Sequence, residues 1–118
     1  MHFLNYLHPD EKVAKATARE PILRYVGYLR DCVADDRWSK DYENYAGMVK
    51  MVEALMDFDL LYDKRTILGD PAHARECVEA YIDAGITEIG LAPVLPGITH
   101  PQIMDSLRLF GTEVLPHY

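Results

Sequence analysis

The chain has 118 residues, 49% of them hydrophobic and 26% charged, and a formal net charge of −7. That length holds a single domain, read here as residues 1–118, with a modest core. The excess of negative charge, with no Lys/Arg cluster interleaved with aromatics, argues against nucleic acid as a partner, and no apolar run reaches the roughly 18 residues of a membrane span.

Cys32 and Cys77 show no metal-ligand spacing. Both are expected to be reduced, mostly buried packing residues, in keeping with a cytoplasmic protein. The first residues hold no long apolar core and reach an acidic Asp10 early, so a signal peptide is not expected.

In chain order, Phe3 to Leu7 reads as a short strand broken by His8-Pro9. A helix follows from Pro9 to about Glu20, with Asp10 and Glu11 in its first turn. Pro21 either kinks that helix or opens a new one. Ile22, Leu23, Val26, Leu29 and Val33 then recur at helical spacing. Residues Ala34 to Asp41 read as a polar loop in which Trp38 is an anchor over the core. A further helix runs from about Tyr42 to Met56, and Asp57 caps a short turn through Leu61.

The second half is more regular. Arg65 to Leu68 is a buried-type strand, Gly69 permits a tight turn, Asp70 is an N-cap and Pro71 suits the first helical position. Ala74, Cys77, Val78, Tyr81 and Ile82 form one apolar helix face, which Gly85 ends. Ile86 to Ala92 is the third strand. After the rigid loop Pro93 to Ile98, Thr99 and Gln102 form a capping-box pattern. The last helix turns Ile103, Met104, Leu107, Phe110, Val114 and Leu115 toward the core and stops at Pro116. The result is α/β, in the order β-α-α-β-α-β-α, with three parallel strands.

The closing series resembles the C-terminal end of luciferase-like flavin-dependent monooxygenases. It comprises GDP, a helix, DAGITEIGL, then PGITHPQIMDSLRLFGTEVLP. The N-terminal half, a strand, a charged Ala-rich helix and a Pro-initiated helix bearing tyrosines, fits the same family more loosely. The resemblance implies the last three βα units of a (β/α)8 barrel, whose complete form takes roughly 250 residues. It implies FMN or the deazaflavin F420 as cofactor, dioxygen chemistry on a small organic substrate, and activity only once the barrel is completed. A second copy of the chain or a complementary barrel polypeptide would complete it. For the isolated chain two outcomes stay open, a bound FMN or F420 or no cofactor, because most family flavin contacts come from earlier strands. No catalytic residue carries over.

On this reading the exit of the last strand, Ala92, Pro93, Leu95, Pro96, Gly97 and His100, rims a substrate pocket. His100 could touch a substrate or flavin oxygen, or could bond locally as a helix-start residue. His73 reads as a solvated surface residue, and Asp70 as a cap that repels anions. No metal site is expected. The alternative is a non-catalytic α/β domain that dimerises or binds a protein partner through an uncovered sheet face, since a barrel wedge leaves the inner side of its strands bare.

Overall fold

The computed structural model describes residues 1–33 and 46–118. The elements are β1 (His2–Leu7), α1 (Glu11–Val33), α2 (Ala46–Ala54), α3 (Phe58–Lys64), β2 (Ile67–Gly69), α4 (Pro71–Asp83), β3 (Gly90–Ala92) and α5 (His100–Glu113), with a 3₁₀ turn at Leu115–His117. The α/β class and the all-parallel sheet stand as expected from the sequence. The expectation for Trp38 falls outside the described residues.

The strand order is β2-β1-β3. The C-terminal half of β1 pairs with β2 (Asn5 to Ile67, Tyr6 to Leu68, Leu7 to Gly69), and His8 N–H extends that ladder to the Gly69 carbonyl at 3.0 Å. The N-terminal half pairs with β3 (His2 to Gly90, Phe3 to Leu91, Leu4 to Ala92). In a barrel, successive βα strands lie side by side in chain order. Here the path steps from β1 to one side and then back across it to the other. Parallel crossovers are almost always right-handed, so reversing the step puts the connecting helices on opposite faces.

Both faces accordingly carry a core. On one, Tyr6 and Leu68 pack with Ala18, Ile22 and Val26 of α1, Val52 of α2, and Phe58 and Leu61 of α3. On the other, Phe3, Leu7 and Ile67 pack with Ala74, Cys77 and Val78 of α4, with Val114 beside them. The strand residues alternate between the two clusters, as the two-residue period of a strand requires. The expected uncovered sheet face is therefore corrected: neither face of this sheet is bare.

Several local expectations change too. Helix α1 continues through Pro21, whose missing N–H leaves the Thr17 carbonyl without its i+4 donor. The turn after Asp57 extends into α3, with Asp57 accepting from the N–H groups of Asp59 and Leu60. The third strand is three residues long, Gly90–Ala92, rather than Ile86–Ala92. Ile82 and Leu115 are exposed, while Ser106 is buried on the face of α5 read as purely apolar. Cys77 is buried as expected, but Cys32 is exposed; both are free thiols.

Candidate functional site

Because β3 pairs only with the first half of β1, the sheet opens beyond Leu4 on that side. Helix α5 closes the gap. The Leu7 N–H, which has no strand partner there, donates to Ser106 Oγ at 2.8 Å in a buried bond. In front of this junction lies a cavity of about 570 Å³, within the size range of small-molecule sites. Its floor is apolar (Tyr6, Leu7, Val13, Leu109), and its polar groups are His8, Thr17, Gln102, Asp105, Arg108 and Thr112. It stands at the carboxyl end of the central strand. Sheets that step both ways from one strand open a crevice there, a fold-level analogy rather than a property of these residues.

The local chemistry of the cavity follows from two helix starts. Asp10 caps α1, its Oδ1 accepting from Lys12 N–H at 2.8 Å and Val13 N–H at 3.3 Å. The Asp10 N–H donates to His8 Nδ1 at 3.0 Å, which leaves the ring proton of neutral His8 on Nε2. At α5, Gln102 Oε1 accepts from the Thr99 N–H and from Thr99 Oγ1, each at 2.9 Å. Arg108 Nη1 donates to Asp105 Oδ1 at 3.0 Å across one turn of an exposed helix face.

A second polar cluster sits at the carboxyl end of β2. The Tyr62 hydroxyl donates to Glu11 Oε1 at 2.8 Å, and Lys15 Nζ reaches the same oxygen at 2.9 Å. Lys15 also lies over the Tyr62 ring at 4.1 Å. The His73 ring stacks on Tyr62 with centroids 4.2 Å apart and planes within 1°, and its Nε2 lies 3.6 Å from Cys77 Sγ. His73 is thus half-buried in a stack, not a solvated surface residue. Hydrogen bonding to Lys15 and Tyr62 holds the Glu11 carboxyl below its usual range. Burial, then the bond to Glu11, pushes the Tyr62 hydroxyl up. Burial, then Glu76 and Asp63, pushes the Cys77 thiol up to about 11. A thiol held protonated is a poor nucleophile, so the cluster ties α1, α3 and α4 together rather than offering a reactive cysteine. Among the described residues no group of three or more His, Cys, Asp or Glu could hold a metal ion.

None of the residues expected at the pocket rim lines the cavity at β1. Leu95 is buried in the α1-side core. Ala92 lines a separate groove with Leu4, Tyr25 and Val26. Pro93 and Pro96 are half-buried, Gly97 is exposed with φ +90°, and His100 is exposed at the first residue of α5. The residues that reasoning from sequence missed are His8, Gln102, Asp105 and Arg108. The usable signal for His8 was its place directly after a strand, the same argument applied above to the exit of the last strand.

FMN and F420 both carry a phosphate, which proteins often hold at an uncapped helix N-terminus. Helices α1, α4 and α5 all begin at the carboxyl edge, and each start is already served by its own side chains: Asp10, Asp70 (which accepts from His73 N–H at 2.9 Å) and the Thr99–Gln102 pair. The described residues therefore do not fit a flavin phosphate. No protein-family model matches the chain, and no curated protein matches it.

Proposed function

We propose that this chain is the small-molecule-binding part of a flavin-dependent oxidoreductase of the luciferase-like type, working with FMN or F420 in the cytoplasm. A second copy or a complementary polypeptide supplies the flavin phosphate site. The observation that carries the reading is a ligand-sized crevice at the carboxyl edge of a parallel sheet, the edge on which both (β/α)8 barrels and doubly wound sheets carry their ligands. The motif series that resembles the family supports it. Asp70 caps α4, Gly85 takes φ +85° just past the end of that helix, and Gln102 closes the box at α5. The finer reading, the last three βα units of a (β/α)8 barrel, sets β1, β2 and β3 side by side in chain order. It keeps the β1–β2 pairing and requires the three-residue β3 to leave its place beside β1 for the far side of β2 on assembly.

The test is a fluorescence titration of the purified chain with FMN and F420, with mass in solution recorded on the same samples. Saturable binding confined to species heavier than the 13.5 kDa chain supports the reading. Absence of binding at every mass, including after addition of candidate partner chains, removes it.

A further inference from the structure

We infer that the crevice between the end of β1 and α5 recognises a small organic carboxylate with an apolar body. This deepens the functional reading above and rests on the crevice being its substrate-side site. Three of its polar groups, His8, Gln102 and Arg108, are left with donors to offer. His8 uses Nδ1 on the Asp10 N–H, so the neutral ring has only the Nε2–H donor left. Gln102 uses Oε1 on Thr99, so its NH2 donors remain. Arg108 spends one N–H on Asp105, and both partners of that pair are largely exposed. Such a surface pair is weak, so it yields readily to a better acceptor. A carboxylate laid against a guanidinium in bidentate fashion is such an acceptor.

The floor of Tyr6, Leu7, Val13 and Leu109 takes the apolar body. Asp105 is the one opposing charge and sets the limit on affinity: the incoming carboxylate displaces it from Arg108 and then repels it. A phosphate fits less well, because the α1 and α5 starts beside the crevice are capped and offer it no N–H cradle.

The test uses the full chain with hexanoate, hexanol and inorganic phosphate as probes, followed by amide chemical shifts and calorimetry. Hexanoate is expected to bind saturably, moving the amides of Leu7, His8 and Leu109, with hexanol at least about tenfold weaker, as the loss of a charge-assisted hydrogen bond implies. Arg108→Gln weakens hexanoate about tenfold and leaves hexanol unchanged, whereas Asp105→Asn strengthens hexanoate. Both sites are exposed, so neither variant threatens the fold; Arg24→Gln, distant on α1, is the control and changes nothing. Equal binding of hexanol and hexanoate, equal competition by phosphate, or indifference to Arg108→Gln overturns the inference. The flavin titration decides the functional reading independently of these outcomes.

Discussion

Ser106 lies among apolar neighbours on α5, and among the described residues its hydroxyl is the only partner of a buried strand N–H, that of Leu7. Ser106→Ala leaves that donor unpaired and is expected to cost about 1–3 kcal/mol of stability in a denaturant titration. Periodicity could not have found it: a serine on a helix reads as a solvated position, and its role depends on β3 ending before the end of β1. Asn5 is similar. It is completely buried at the centre of the sheet, and neither amide atom has a partner among the described residues. The two thiols differ in a way that can be measured. Exposed Cys32 is expected to react quickly with a thiol reagent in the native protein, and Cys77 only on unfolding; Cys32→Ser should abolish the fast phase. The Cys77 thiol is pushed from its ordinary value near 9 up to about 11. In that window the folded chain keeps a proton that the unfolded chain has lost. Its contribution is therefore intact below pH of about 9 and falls away as pH rises toward about 11, which pH-dependent denaturation midpoints will register.

At the scale of elements, the sequence was most legible where backbone geometry has a chemical signature. Gly69-Asp70-Pro71 announced a turn and a helix start, and Asp70 does cap α4. Asp57, Gly85 and the Thr99–Gln102 pair were read in the same way and are found in those roles. Gly69 carries more than a turn. Its φ is +116°, and a Cβ there would meet the Tyr62 hydroxyl oxygen at 2.6 Å. Gly69→Ala is therefore expected to destabilise by about 1–3 kcal/mol through backbone strain alone, and the same substitution should disturb the Tyr62–Glu11 bond. Strand length was less legible. Ile86, Thr87 and Ile89 are β-branched and suit a strand, yet the ladder with β1 starts at Gly90, preceded by one bond from the Met1 amino group to the Glu88 carbonyl at 2.7 Å.

At the scale of the whole molecule, three parallel strands and their helices could be read from the alternation of patterns, but their order could not. Apolar residues on both sides of a strand say that both faces are buried, not by what. A barrel wedge and a doubly wound sheet make the same demand on Ile67, Leu68 and Leu91. The order β2-β1-β3 meets that demand within one chain, which is why the expected bare face does not appear. The site moved with the order: the crevice lies beside β1 and α5, so His8 and Arg108 line it and the exit of β3 does not.

Residue-resolved amide hydrogen exchange tests this arrangement most directly. With β1 central, consecutive amides at its end are bonded on opposite sides, Leu7 to Ser106 and His8 to the Gly69 carbonyl. The account predicts slow exchange at both, with Leu7 made fast by Ser106→Ala. Fast exchange at Leu7 in the unaltered chain, alternating with slow neighbours, would mean that β1 is an edge strand and would contradict both the strand order and the crevice built on it.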